Sequence, residues 1–62
     1  MGSFHQFWLR VIEPTRFLPK GEVVFCIMDD GYEFRVKSGN TYSGVNEFVF
    51  DNNSRKKFEI YK

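Results

Sequence analysis

Val23-Val24-Phe25-Cys26-Ile27-Met28-Asp29-Asp30-Gly31-Tyr32-Glu33-Phe34-Arg35-Val36-Lys37 is the stretch that decides the fold. It opens with six apolar residues in a row and closes with strict alternation: Tyr32, Phe34 and Val36 on one side, Glu33, Arg35 and Lys37 on the other. A period of two means a strand with one dry and one wet face. Between the two halves stands Asp29-Asp30-Gly31, where Gly admits the positive φ that tight hairpin turns need. The segment therefore reads as an antiparallel hairpin. Its first strand is apolar on both faces, so it belongs at the centre of a sheet and wants cover on both sides. A two-residue turn would set Ile27 against Phe34 and Phe25 against Val36. A three-residue turn would set Cys26 against Phe34 and Val24 against Val36. Both registers bury apolar pairs.

Outward from the hairpin, Ser38-Gly39-Asn40-Thr41 is a second turn signal. The strand after it, Tyr42 to Phe50, puts Phe48 and Phe50 on one face and Val45 and Val49 on the other, with Gly44 marking a bend. A polar loop over Asp51 to Arg55 leads to a last strand with Phe58 and Ile60 inward and Lys57, Glu59 and Tyr61 outward. Upstream, residues 13–21 contain Pro14, Pro19 and Gly21 and form a semi-rigid surface loop. Residues 4–12 admit two readings. As a strand, Phe7, Leu9 and Val11 share one face while Trp8, Arg10 and Ile12 share the other. As a helix, Ser3 and Gln6 form a capping box ahead of an apolar stripe that stops at Pro14. Phe, Trp, Val and Ile are mediocre helix formers, which favours the strand. The expected fold is all-β: one domain over residues 1–62, a five-stranded antiparallel SH3-like barrel or curled meander. An N-terminal helix packed on a four-stranded antiparallel sheet is the alternative.

Composition agrees. Twelve of the 62 residues are Phe, Tyr or Trp and eleven more are Val, Ile or Thr, against two Leu and no Ala, so a helical bundle is excluded. Nine basic and eight acidic side chains leave a formal charge of +1, short of the basic excess of a dedicated nucleic-acid binder. The lone Cys26 sits in an apolar run and reads as a small buried hydrophobe in a reducing compartment. No apolar run approaches a membrane span, and no basic-then-apolar leader opens the chain, so the cytoplasm is the expected location. Gln6 stands where a myristoylation signal wants Ser or Thr.

Catalytic constellations are missing from the sequence. His5 has no evident Ser, Cys or carboxylate partner, Asp29 and Asp30 are explained by the turn, and neither a phosphate-cradling Gly loop nor a nucleophile elbow is present. One His and one Cys cannot make a zinc-spaced ligand set. The expectation is a non-enzymatic protein with no metal, no cofactor, no small-molecule substrate and no membrane partner.

Binding remains, and two surfaces compete. Trp8, Arg10, Phe17 and Leu18 have the composition of a protein interface core, which suits a small adaptor or inhibitor. A chain this short buries only about 60% of its unfolded surface, so its aromatic excess also predicts a homodimer. The rival surface is Arg35, Lys37, Tyr42, Arg55, Lys56 and Lys57, cations beside aromatics as in modules for single-stranded RNA or DNA. The charge balance favours the protein partner.

Overall fold

Alternation along the hairpin is realised as two paired strands, and the remaining strands add to either side of them. The computed structural model describes residues 3–39 and 46–62. The strands are β1 (Trp8–Val11), β2 (Val23–Asp29), β3 (Glu33–Ser38), β4 (Glu47–Asp51) and β5 (Phe58–Ile60), with a 3-10 helix, η1 (Asn52–Lys57), before the last. All pairings are antiparallel, and the sheet order is β4-β3-β2-β1-β5. The doubly apolar strand is thus central, as expected, and the fold is all-β. No helix among the described residues is long and apolar enough to cross a membrane.

The sheet is strongly curled. In a flat sheet the two outer strands of five would lie about 19 Å apart. Here Phe50 of β4 and Phe58 of β5 have ring centroids 5.2 Å apart, and both also touch Phe34. Side chains on the concave face thereby close the ring that backbone pairing leaves open. Leu9, Val11, Leu18, Val24, Cys26, Phe34, Val36, Phe50 and Phe58 form the core.

Residues 8–11 settle the N-terminal ambiguity as a strand. Gln6 has φ +64°, outside any right-handed helix, and its N–H donates to the Cys26 carbonyl at 2.8 Å. Residues 4–7 form a turn closed by the Phe7 N–H on the Phe4 carbonyl (3.0 Å), so Phe7 is half exposed instead of sharing the core face with Leu9 and Val11.

The hairpin takes neither expected register. Cys26 opposes Val36, but Asp29 opposes Phe34, with a bulge between Cys26 and Met28. The Asp30 carboxylate accepts the N–H groups of Tyr32 and Glu33 (2.9 Å each), and Gly31 at φ +91° completes a longer turn. Tyr32, expected inward with Phe34 and Val36, sits on that turn and is 82% exposed. The expected polar loop after β4 is instead η1.

The bulge has a chemical result. In a regular strand with Val24 and Cys26 inward, Met28 would follow them and Asp29 would face solvent. One extra residue reverses this, sending Asp29 inward, where its side chain is 2% exposed. Arg55 of η1 meets it as a fork, Nη1 on Oδ2 at 2.7 Å and Nη2 on Oδ1 at 2.5 Å. The Phe4 and Gly31 N–H groups donate to the same carboxylate at 2.8 and 3.0 Å. The guanidinium lies over the rings of Phe34 (4.9 Å) and Phe4 (5.3 Å), and its Nε donates to Asn52 Oδ1 at 2.6 Å. Arg55 holds the Asp29 carboxyl well below the usual carboxylate range, and the two N–H donors act the same way against the opposing effect of burial.

A carboxyl depressed in the folded state contributes stability that is present above its unfolded value, about 3.9, and is lost as pH falls below it. Asp29→Asn is therefore expected to cost roughly 3 kcal/mol at pH 7, the low end for a broken buried pair because Arg55 is 21% exposed. It should also flatten the loss of stability below about pH 4, leaving the share from Asp30, which is depressed by its own turn N–H donors. Urea unfolding followed by circular dichroism across pH 2–7 checks both; an unchanged acid limb would contradict the assignment.

Candidate functional site

Strand alternation that sends Leu9 and Val11 inward sends Trp8 and Arg10 to the convex face. Register then sets a row across four strands, Trp8 beside Phe25, Phe25 beside Lys37 and Lys37 beside Glu47. A second row joins Val23, Arg10 and Glu59. Trp8 meets Phe25 edge to face at 5.1 Å and remains 54% exposed. The Tyr61 N–H donates to the Trp8 carbonyl at 2.8 Å, which puts Tyr61 on the next rung of the β1–β5 ladder. Its half-exposed ring lies 5.9 Å from the Arg10 guanidinium carbon. Arg10 Nε and Nη2 both reach Glu59 Oε2, the former at 3.0 Å. The convex face thus carries a row of aromatic side chains with a guanidinium beside it, held by a carboxylate. Val23, Phe25, Ile27 and Met28 are half-buried, so the cover that the doubly apolar strand calls for is partial on this side.

Charge on this face is balanced. Arg10, Arg35 and Lys37 stand among Glu33, Glu47, Asp51 and Glu59, and two of the three cations are paired, Arg10 with Glu59 and Arg35 with Glu47 at 3.6 Å. Such exposed pairs contribute little to stability, about 0–1 kcal/mol each. They do lower the potential that a phosphate chain would meet.

The residues expected to act together are separated. Trp8 and Arg10 share the convex face. Leu18 lies in the core, 4% exposed, because Thr15 folds the loop back: Thr15 Oγ1 accepts the Leu18 N–H at 2.8 Å and the Phe17 N–H at 3.2 Å. Phe17 is half exposed at the mouth of the curl, stacked on Phe48 at 5.3 Å. It borders a cleft of about 270 Å³ whose other walls include Arg16, Val49, Asp51 and Lys57.

Of the rival set, Arg35 and Lys37 lie on the convex face of β3, with β2 between them and Trp8, while Arg55 is committed to Asp29. Lys56 is exposed on η1, Lys57 borders the cleft, and Tyr42, like Gly44 and Val45, lies outside the described residues. Sequence reasoning missed Phe25 as a surface group. Inward Val24 and Cys26 would have implied it, but six consecutive apolar residues carry no period that says which three face the core. Cys26 is fully buried; burial pushes its thiol pKa up, and Sγ–H donates to the Met28 carbonyl at 3.3 Å. Comparison with known protein families, curated proteins and solved structures gives no match for this chain.

Truncation separates face from core. Trp8→Ala is expected to cost about 1 kcal/mol, the share of an edge-to-face contact on a half-exposed ring. Phe34→Ala should cost about 3–5 kcal/mol, since Phe34 is fully buried under Phe4, Phe50, Phe58 and Arg55. Urea midpoints of the two variants give the comparison, and equal losses would place Trp8 in the fold's support.

Proposed function

We propose that this chain is a non-catalytic protein-binding module, an adaptor or inhibitor working in the cytoplasm, that docks through the convex face centred on Trp8, with a second copy of itself among its partners. We read the curled sheet as an SH3-like small barrel. The observation that carries the proposal is the exposed Trp8 packed on Phe25, with Arg10 beside it between Glu59 and Tyr61. Trp, Tyr and Arg concentrate binding energy where they can be desolvated together. The ladder already holds these side chains in place, so less freedom is lost on docking.

Single-stranded nucleic acid is the competing reading, and pairing of the cations argues against it. Arg35 faces Glu47 and Arg55 is enclosed with Asp29, so of the cations expected to hold phosphates only Lys37, Lys56 and Lys57 lack an ion-pair partner among the described residues. Counterion release scales with the phosphates neutralised, so an expected set reduced to Lys37 on β3 and Lys56 and Lys57 beyond β4 supports only weak, salt-sensitive binding.

Affinity capture from lysate of the source cells, with and without nuclease, tests the reading. The wild-type chain is expected to retain a protein that survives nuclease treatment, and Trp8→Ala with Arg10→Ala to lose it while still unfolding in one cooperative thermal transition. Sedimentation velocity at micromolar concentration should show mass above 7.4 kDa for the wild type and a return to 7.4 kDa in the same double variant if the partner is a second copy. Capture that depends on nuclease-sensitive material, and that Lys56→Ala with Lys57→Ala removes, would overturn the proposal in favour of nucleic acid.

A further inference from the structure

β4 ends the sheet on one side, and the groups on its free edge can be assigned. The Ser38 N–H donates to the Asn46 carbonyl at 2.7 Å, so Ser38 and Asn46 form a hydrogen-bonded pair of the β3–β4 ladder. Such pairs recur every second residue, which directs Phe48 and Phe50 toward β3 and turns the N–H and C=O groups of Glu47 and Val49 outward. Among the described residues no strand pairs with that edge. The side chains of Glu47, Val49 and Asp51 line it on the convex side, all exposed and reading acid, apolar, acid, with Glu47 in a loose, exposed pair with Arg35 at 3.6 Å. The edge also borders the cleft, where Phe50 and the half-exposed Phe17 stand with the cations Arg16 and Lys57.

A second copy paired symmetrically about Val49 fits this edge poorly. Antiparallel pairing of two β4 strands about Val49 sets each Glu47 directly opposite the other copy's Asp51, and like charges in that position repel. An extended strand with basic groups in those two places complements it. We infer that the free edge of β4 accepts an extended peptide segment of basic–apolar–apolar–apolar–basic pattern from another protein, added to the sheet as a sixth strand. The two basic residues lie across from Glu47 and Asp51, and the central apolar residue lies against Val49. The intervening pair point the other way, over Phe17 and Phe50 and into the cleft. Backbone hydrogen bonds to Glu47 and Val49 supply register, and charge selects the sequence. This site lies at the β4 end of the sheet, three strands from Trp8, and stands or falls apart from the surface around Trp8.

The probe is a capped, fluorescein-labelled peptide with a Lys-Val-Leu-Val-Lys centre, compared with the same peptide carrying Glu in place of both Lys. Fluorescence anisotropy should show saturable binding of the basic peptide, at least about tenfold tighter than the acidic one. Amide shifts should centre on Glu47, Val49 and Asp51. Val49→Pro removes an edge N–H that no ladder bond uses, so it should fold and lose the peptide. Glu47→Lys with Asp51→Lys should invert the preference toward the acidic peptide, a gain that misfolding cannot produce. Trp8→Ala should bind the basic peptide like the wild type. Equal affinity for both peptides, shifts centred on Trp8, or no saturable binding up to about 1 mM would overturn the inference, the last leaving Glu47 and Asp51 as charges that merely keep edges apart.

Discussion

A carboxylate enclosed in a chain of 62 residues must have its charge answered, and the answer to Asp29 organises much of the rest. Arg55 supplies two hydrogen bonds, and the backbone of Phe4 and Gly31 supplies two more. Those four donors come from three separate parts of the chain: the N-terminal turn, the β2–β3 turn and η1. The guanidinium is in turn packed on Phe4 and Phe34 and braced by Asn52, whose amide also donates to the Gly31 carbonyl at 2.8 Å. One ion pair therefore draws η1 over the end of the hairpin. With η1 placed, β5 is delivered to β1, and Phe58 meets Phe50 across the gap between the outer strands.

The pair also accounts for the bulge in β2. An all-apolar strand can slip by one residue at little cost in burial, since both faces are equally greasy. Asp29 removes that degeneracy: only with the extra residue between Cys26 and Met28 does it point to Arg55. Buried ion pairs are often no better for stability than well-packed apolar groups, and fixing one register among several is the better-attested use of them. In this chain the register decides which side of β2 becomes surface, and hence that Phe25 is available to Trp8.

How much of this could be read in advance follows from where information resides along the chain. Phe34, Val36, Glu33, Arg35 and Lys37 alternate, and their facing was legible without ambiguity. Leu9 and Val11 were legible once the poor helix formers around them were weighed. Val23 to Met28 carries no alternation, so neither the bulge nor the outward turn of Phe25 was visible. Tyr32 was assigned inward by extending the period of β3 into a turn that Asp30 and Gly31 shape differently. Arg55 was hidden by its neighbours: beside Lys56 and Lys57 it resembles a solvated cation, and its partner lies 26 positions away. The candidate site was half legible, Trp8 and Arg10 correctly placed together, Phe17 and Leu18 dispersed by the Thr15 turn.

Asp29 and Arg55 act as one structural unit, and a double-mutant cycle measures their coupling directly. Urea unfolding at pH 7 of the wild type, Asp29→Asn, Arg55→Gln and the double variant gives their coupling energy. A coupling of about 2 kcal/mol or more is expected, with the double variant far less destabilised than the sum of the two single changes. Additive losses, with a coupling below about 0.5 kcal/mol, would contradict it.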